Sequence, residues 1–227
     1  MVGGEDGGGQ RAGRSAGGVR GAWWPPGTAA SAGARDDPLI GHLQRTNIQL
    51  AAIPVFVRKG LADTTVNDLL DAAGVSRRTF YKYFANKMEV LEGIYRTAVL
   101  LLLARFRELE HGAGSVDAWL RAMVDCFFDY HLSVGPIIRL MQEEALRADS
   151  PLARHRLHAH LEMVRLVDER LSGYGLHRDP LITRSLIWAM ESASLDLLGR
   201  EASREEIEQA KRVLGELACR CLAPRST

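Results

Sequence analysis

The sequence has few cysteines, and their spacing does not resemble a disulfide framework. Its 227 residues include three, Cys126, Cys219 and Cys221, which is an odd number. Small secreted domains usually carry an even set at regular intervals, so we expect these three residues to be reduced thiols. Cys219 and Cys221 are two positions apart on a predicted helix and therefore point in different directions. This arrangement argues against a shared metal site.

Long apolar runs and a strong net charge are also missing. The longest apolar run, residues 98–104, is closed by Arg105 and is shorter than the roughly 18 residues that a membrane span needs. No charged start followed by an apolar stretch marks a secretory leader, so we expect a cytoplasmic protein without a membrane partner. The net charge is +1. A nucleic-acid partner would therefore require positive charge concentrated in one region.

Residues 1–37 differ in composition from the rest of the chain. They contain half of the 22 glycines and show no apolar period. Such a composition cannot offset the entropy lost on ordering, so we predict a disordered Gly/Arg-rich tail. Its arginines, which are Arg11, Arg14, Arg20 and Arg35, could contact a phosphate backbone. The simpler alternative is a solvated tail.

From Pro38 onward, the apolar period and the turn residues predict helices and no strand. The predicted helices span about residues 38–59, 65–73, 76–84, 87–109, 116–133, 136–147, 151–172, 180–198 and 203–222. Pro54 should bend the first helix, and Gly60 should end it. We predict an all-α protein with an N-terminal three-helix head, residues 38–86, and a larger C-terminal helical bundle, residues 87–227.

Two short predicted helices in the head have the pattern of a helix-turn-helix. Residues 65–73 and 76–84 flank Gly74, which supplies the permissive backbone of a tight turn. Thr64 or Thr65 can cap the first helix, with Asp68 completing a capping box, and Ser76 can cap the second. The apolar residues spaced to face one small core are Val66, Leu69, Val75, Phe80 and Phe84.

The opposite face of the second short helix is polar and basic. Between Ser76 and Lys87 there are four basic residues and no acid, a local charge of +4 in a nearly neutral chain. Arg and Lys donate to guanine edges, Thr offers a hydroxyl and a methyl group, and Tyr can hold a phosphate. This composition favours a helix that reads the major groove. The alternative is a charged face that is simply solvated. It fits less well, because this helix exposes two tyrosines and its apolar side is narrow.

Residues 48–91 resemble the DNA-binding domain of the TetR (tetracycline-repressor-like) family of transcription regulators. The matching residues are Ile48, Ala51, Ala52, Phe56, Gly60, Thr64, Thr65, Val66, Asp68, Leu69, Ala73, Gly74, Val75, Ser76, Thr79, Phe80, Tyr81, Lys82, Tyr83, Phe84, Asn86, Lys87 and Leu91. The resemblance implies a sequence-specific regulator, typically a ligand-responsive repressor, that binds a pseudo-palindromic operator in double-stranded DNA as a homodimer. The residues themselves do not distinguish a repressor from an activator.

The resemblance also assigns roles to single residues. The side chains that would face bases or nearby phosphates are Arg77, Arg78, Thr79, Tyr81 and Lys82. Those that would grip the DNA backbone are Thr65, Tyr83 and Lys87, the last at the start of the helix that leads into the bundle.

The last two predicted helices, about residues 180–222, correspond to the dimerisation pair of the family. Their apolar stripes contain Leu181, Leu186, Ile187, Met190, Leu195 and Leu198 on the first helix and Val213, Leu214, Leu217, Cys221 and Leu222 on the second. The two-fold symmetry of such a homodimer would match an inverted-repeat operator.

Family members usually bind a small molecule in the C-terminal bundle, and the ligand changes the spacing of the two DNA-reading heads. The candidate lining residues are Trp119, Met123, Phe127, Phe128, His131, Met141, Met163 and Trp188. Apolar residues at this spacing also build ordinary helix cores, so both interpretations stay open. An unknown small-molecule effector that is apolar or amphipathic would fit these side chains.

Three histidines on one predicted helix raise a different function. His155 and His158 are three positions apart and lie together, whereas His160 turns away. Arg154 and Arg156 lie between them, so we expect a solvated, weakly basic face and neither a metal site nor a cofactor. The alternatives to a regulator are an all-α enzyme or metal-binding bundle and a protein-interaction bundle. No spacing of nucleophile and base indicates catalysis, so no catalytic residue is predicted.

Overall fold

The computed structural model describes residues 38–109 and 114–223. In these ranges it contains nine helices and no strand. They are α1 Pro38–Asp63, α2 Val66–Ala73, α3 Arg77–Tyr83, α4 Lys87–Glu108, α5 Val116–Val134, α6 Pro136–Ala145, α7 Pro151–Gly173, α8 Pro180–Gly199 and α9 Arg204–Leu222. The predicted all-α class, with a helix-turn-helix head before a larger bundle, is confirmed. The predicted disordered tail, residues 1–37, lies outside the described residues.

The first helix is interrupted at a glycine. Its non-helical residue is Gly60, at φ 73° and ψ 172°, whereas Pro54 lies within the helical part. The break therefore occurs at Gly60, because a residue without a Cβ adopts a positive φ at little cost. One more helical turn follows to Asp63, and the Thr64 hydroxyl donates to the Gly60 carbonyl oxygen at 2.6 Å. This hydrogen bond satisfies a carbonyl near the interrupted helix end.

Side-chain caps set the other helix boundaries of the head. The Thr65 hydroxyl accepts from the Asp68 backbone N–H, and the Asp68 carboxylate accepts from the Thr65 N–H, which makes a complete capping box at the start of α2. Ser76 and Asn86 cap α3 and α4 through their side-chain oxygens. Each cap satisfies an N–H group that a helix start leaves unpaired, so these polar residues fix where each helix begins.

A small apolar core holds the head together. Its fully buried members are Ile48, Ala52, Phe56, Leu69, Phe80 and Phe84, with Val66 and Val75 partly buried against them. The ring centroids of Phe80 and Phe84 lie 5.9 Å apart. Full burial of one such side chain contributes about 1.5–3 kcal/mol. A few buried side chains are therefore enough to hold the two short helices, α2 and α3, against α1.

Helices α4 to α9 build the bundle. Helix α5 packs on α8 and α9, and helix α7 packs on α4, α6 and α8. Helix α1 contacts α4 and α6 as well as α2, so the head rests directly on two helices of the bundle. Within the described ranges, none of the helices combines the length and the apolar character that crossing a membrane would take.

Candidate DNA-binding surface and interior cavity

The turn between α2 and α3 sets the direction of α3. Gly74 closes α2 at φ 63° and ψ 34°, and its N–H donates to the Leu70 carbonyl oxygen. A Cβ at Gly74 would meet no atom within 4 Å, so it is the backbone angle that favours glycine here. The Ser76 hydroxyl then accepts from the Thr79 N–H at 3.1 Å and starts α3. With Phe80 buried on the inner side, the opposite side of α3 faces outward.

The outward face of α3 carries the side chains predicted to read DNA. Those that are exposed are Arg77, Arg78, Tyr81 and Lys82, and those that are partly buried are Thr79 and Tyr83. The Tyr81 ring is 49% exposed and packs edge-on against the buried Phe80 ring at 5.4 Å between centroids. One narrow helix face therefore presents guanidinium, ammonium and hydroxyl groups together.

Contacts with α1 and α2 hold this face in place. The Arg77 guanidinium donates to Asn67 Oδ1 at 2.6 Å, and the Tyr83 hydroxyl donates to Gln44 Oε1 at 2.7 Å. The Lys82 ammonium lies 5.2 Å from the centroid of the Tyr83 ring, within cation–π range. Because these side chains are already oriented, ordering them on a ligand surface costs less entropy.

Thr65 lies exposed at the start of α2, but its hydroxyl is engaged inside the head. It contacts Asp68 Oδ2 at 2.9 Å, and the same carboxylate accepts from the Lys59 ammonium at 2.7 Å. The hydrogen bond from Lys59, followed by those from Thr65, lowers the pKa of Asp68 to about 2. The ionised carboxylate is favourably placed at the positive end of the helix dipole. The DNA-backbone contact of Thr65 stays a prediction.

Lys87 also contacts the head. Its ammonium donates to the carbonyl oxygens of Leu61, Ala62 and Thr64 at 2.7, 2.9 and 2.6 Å. An ammonium has three donors, so these contacts use all of them. The first residue of α4 thus holds the segment that follows the break at Gly60. The phosphate contact of Lys87 stays a prediction, and the structure adds an intramolecular role that the sequence pattern did not indicate.

A narrow cavity lies inside the bundle and is lined by residues of the five helices α4 to α8. Three of the predicted ligand residues line it, and these are Phe127, His131 and Met163. The other lining residues are Tyr95, Ala98, Val99, Leu102, Leu103, Tyr130, Ile138, Gln142, Ala159 and Glu191. The cavity volume is ≈ 20 Å³, which is about the space that one water molecule needs. A larger ligand would require side chains or helices to move.

Polar groups interrupt the apolar wall of this cavity. The His131 Nδ1 lies 2.9 Å from the Ser194 hydroxyl, which itself donates to the Glu191 carbonyl oxygen at 2.9 Å. Burial lowers the pKa of His131 to about 4, so the imidazole is neutral at pH 7. The Tyr130 hydroxyl donates to the Ala98 carbonyl oxygen at 2.6 Å. Burial raises the pKa of Tyr130 to about 12 and keeps this phenol protonated.

A buried carboxylate, Glu191, is the one charged group on the cavity wall. Its two oxygens accept from His160 Nε2 and from the Arg156 guanidinium, each at 2.7 Å. The Trp188 indole N–H donates to the other ring nitrogen of His160 at 3.2 Å. Burial alone would raise the pKa of Glu191, but the contacts with His160 and Arg156 outweigh it and lower the pKa. Glu191 is therefore ionised and links α7 to α8.

The remaining predicted ligand residues lie elsewhere. Trp119, Met123, Phe128 and Met141 are buried in the bundle core and do not line the cavity. Trp188 is 44% exposed and lines an outer cleft between α6, α7 and α8. Tyr95, Gln142 and Glu191 follow no motif and were not predicted from the sequence. A Glu inside the apolar pattern of α8 was the one available signal, because an unpaired charge is rarely buried.

The histidines of α7 correct a prediction. A solvated basic face was expected, but His160 is 3% exposed and bonds to Glu191, and His155 is partly buried with its Nε2 3.1 Å from Glu92. The prediction was wrong because α7 packs against α4 on one side and α8 on another. His158 is also partly buried. In the described ranges, no group of three or more His, Cys, Asp or Glu side chains is placed to hold a metal ion.

The outer faces of α8 and α9 differ from the predicted stripes. Leu186, Ile187 and Met190 are buried within the protomer, as is Leu222. The large apolar side chains that remain exposed on this pair include Leu181, Val213 and Leu217, at 55%, 52% and 42%. The three cysteines are free thiols. A surface that joins two copies would therefore use a smaller set of apolar residues than the sequence pattern indicated.

The comparisons with known proteins agree with this architecture. The model of the family described as "Bacterial regulatory proteins, tetR family" matches residues 48–94, which cover the end of α1, the helix-turn-helix and the start of α4. The fatty acid degradation regulator FadR from Bacillus halodurans is similar in fold, with a TM-score of 0.67 at 20% identity over 82% of this chain and 97% of that one.

Curated relatives are transcription regulators. The repressor KstR2 of Mycobacterium tuberculosis is 37% identical over 103 residues, which cover 45% of this chain and 51% of that protein. The chain thus spans about half the length of that relative. The regulator BetI of Ectopseudomonas mendocina is 30% identical over 138 residues, which cover 55% of this chain and 69% of BetI. With the family match on the helix-turn-helix and the shared fold, these similarities show that the chain belongs to the TetR family of bacterial regulatory proteins.

Proposed function

We propose that this protein is a transcription regulator that binds a specific DNA sequence through α3. The observation that carries the proposal is the outward face of α3, with Arg77, Arg78, Tyr81 and Lys82 exposed above a buried Phe80. A helix of this kind fits the major groove, where Arg and Lys donate to guanine edges. Thr65, Tyr83 and Lys87 are the residues proposed to lie near the DNA backbone, with Thr79 facing bases.

The proposed regulator acts as a homodimer through α8 and α9. The exposed Leu181, Val213 and Leu217 support this arrangement, because apolar side chains on neighbouring helices favour burial against a second copy. An isologous contact of this kind relates the two copies of α3 by a two-fold axis, as an inverted-repeat operator requires. Residues 38–86 would then form the DNA-binding domain, and residues 87–227 the effector-binding and dimerisation domain.

The proposed effector is a small apolar or amphipathic molecule that enters the bundle. The interior cavity supports this assignment, because its wall is largely apolar with a few polar groups. An effector regulates only if it binds one dimer conformation more tightly than the other. Since α1 rests on α4 and α6, a shift of either helix would move the head.

Replacing two residues of α3 tests the DNA-binding proposal. The double variant Arg77→Ala/Tyr81→Ala should bind the operator at least tenfold more weakly, because a lost base contact costs about 1–3 kcal/mol. The matched control is Arg170→Ala/Tyr174→Ala, a second Arg–Tyr pair at the same four-residue spacing, in contact at 3.0 Å at the C-terminal end of α7. Fluorescence anisotropy with labelled operator DNA gives both affinities, and thermal unfolding confirms that both variants fold. Equal operator affinity for wild type and the α3 variant would overturn the assignment of α3.

A further inference from the structure

The interior cavity and the outer cleft share a wall. Gln142 and Glu191 line both spaces, the cavity of ≈ 20 Å³ on the inside and a cleft of ≈ 170 Å³ that opens between α6, α7 and α8. Arg156 and Trp188 line the outer cleft but not the cavity. Gln142 and Glu191 therefore lie between an enclosed, largely apolar cavity and an open cleft in which Arg156 stands beside apolar side chains such as Trp188. Moving them would join the two spaces into one site that opens on the surface.

Arg156 stands at this wall with part of its guanidinium unused. Its Nη2 donates to Glu191 Oε2 at 2.7 Å, whereas its Nε is buried without a hydrogen-bond partner. Glu191 makes only this one contact with Arg156, because its other oxygen accepts from His160. A buried donor without an acceptor carries an energetic cost. An acceptor group with two oxygens can take Nε and Nη2 together and would remove this cost.

We propose that the cavity and the cleft are two halves of one effector site, which takes an amphipathic anion whose carboxylate or other oxyanion replaces Glu191 as the partner of Arg156. This assignment rests on the proposed effector-responsive regulator and names the class of its effector. The head group occupies the cleft beside Arg156 and Trp188. The released Glu191 side chain keeps its hydrogen bond with His160 and moves out of the wall, so that the apolar tail reaches the cavity.

The cavity lining suits an apolar tail chemically, and the cavity, at ≈ 20 Å³, must widen as the tail enters. Around the polar groups already described, most of its residues are aliphatic or aromatic, and Met163 can adopt several shapes at low cost. His131 is neutral and paired with Ser194, so it places no charge against the tail. The polar recognition is thus concentrated at the outer end, at Arg156. A neutral or cationic molecule of equal length would lack the oxyanion that replaces Glu191 as the partner of Arg156.

Matched eight-carbon probes test this proposal on the full chain. Isothermal titration with octanoate, 1-octanol and octylammonium compares an anionic, a neutral and a cationic head on the same tail. Octanoate should bind at least tenfold more tightly than the other two, because only its head group can accept charged hydrogen bonds from Arg156 in place of Glu191. Arg156→Gln should remove this preference. Glu191→Gln should strengthen octanoate binding, because it removes the charge that competes for Arg156.

Two further variants separate binding from folding. Arg156→Gln/Glu191→Gln removes both charges and leaves no buried ion unpaired, so it should fold and still lose the octanoate preference. The matched control Arg165→Gln changes an exposed arginine of α7 that pairs with Glu162 and Glu169, and it should bind octanoate as wild type does. Octanoate binding that is no tighter than octanol binding, or that survives loss of Arg156 in folded protein, would overturn the proposal.

The same samples distinguish failure of this inference from failure of the proposed function. Operator binding is measured by fluorescence anisotropy in the absence of octanoate, 1-octanol and octylammonium. Operator binding with no preference for octanoate would contradict the effector class alone, and the regulator would stand. An Arg156-dependent preference for octanoate without operator binding would support the site and contradict the DNA-binding proposal.

Discussion

The ammonium of Lys87 gives a sharp prediction, because two roles compete for it. A charged residue at the start of α4 can grip a phosphate, whereas the structure directs its three donors at the carbonyls of Leu61, Ala62 and Thr64. Lys87→Arg keeps the positive charge and changes the shape from a compact donor to a planar fork. A fork cannot reach three converging carbonyls in the same way. We therefore expect Lys87→Arg to destabilise the head while it preserves the charge near DNA.

The magnitude follows from the contacts that are lost. A hydrogen bond to a charged group is worth about 1.5–3 kcal/mol, and these carbonyls can regain part of it from water. Lys87→Gln should therefore lower the free energy of unfolding by about 2 kcal/mol, and Lys87→Arg by about half as much. Urea unfolding followed by circular dichroism measures both changes. Lys82→Gln, which alters an exposed lysine of α3, is the matched control and should change the free energy of unfolding little.

Salt dependence separates the two roles of Lys87. Each phosphate contact contributes about −0.9 to the slope of log affinity against log salt. If Lys87 acts only within the head, Lys87→Gln should leave this slope unchanged. Lys82→Gln should make the slope less steep if Lys82 contacts phosphate. A slope that falls by about 0.9 per head in Lys87→Gln, with unchanged stability, would refute the structural role. Full stability and full affinity in both Lys87 variants would refute it as well.

Three further predictions concern stability. His131 has a folded pKa of about 4, below its unfolded value, so its contribution to the free energy of unfolding is lost as pH falls from about 6.5 toward 4. Between pH 7 and 5.5, urea titrations should therefore show a decrease in the free energy of unfolding that is about 1 kcal/mol smaller in His131→Gln than in wild type. Phe80→Ala should cost about 3–5 kcal/mol and Tyr81→Ala under about 1 kcal/mol, and equal costs would contradict the assigned orientation of α3. Asp68 has a folded pKa of about 2, so its contribution is lost as pH falls below about 4, and melting temperatures of Asp68→Asn should depend less on pH between 4 and 2 than those of wild type.

The sequence was most informative where structure depends on neighbouring residues. The boundaries of α2 and α3 follow from Thr65, Asp68, Gly74 and Ser76, whose effects on the backbone reach only three or four positions. The four-residue spacing that buries one side of α3 also exposes the other. For the same reason the exposure of Arg77, Arg78, Tyr81 and Lys82 could be predicted from the sequence, whereas their contacts with DNA remain proposals.

Contacts between distant helices could not be read from the sequence in the same way. Glu92 pairs with His155, and Glu191 with His160, across 63 and 31 positions. Such pairs depend on how each helix is rotated about its axis in the bundle, and apolar spacing alone leaves that rotation open. This is why the α7 histidines were expected in solvent and why most of the cavity lining was missed. The intramolecular contacts of Lys87 were missed for a related reason, since its carbonyl partners follow the break at Gly60 in α1, more than twenty positions earlier.

Selection of random double-stranded DNA by the purified protein, followed by sequencing of the retained molecules, measures whether the protein recognises a specific DNA sequence. We expect an enriched inverted repeat with half-sites one or more helical turns apart, because two copies of α3 would face adjacent major grooves. The Arg77→Ala/Tyr81→Ala variant should not enrich the same sequence. A folded, dimeric sample that enriches no sequence at low salt would contradict the claim that this protein is a sequence-specific regulator.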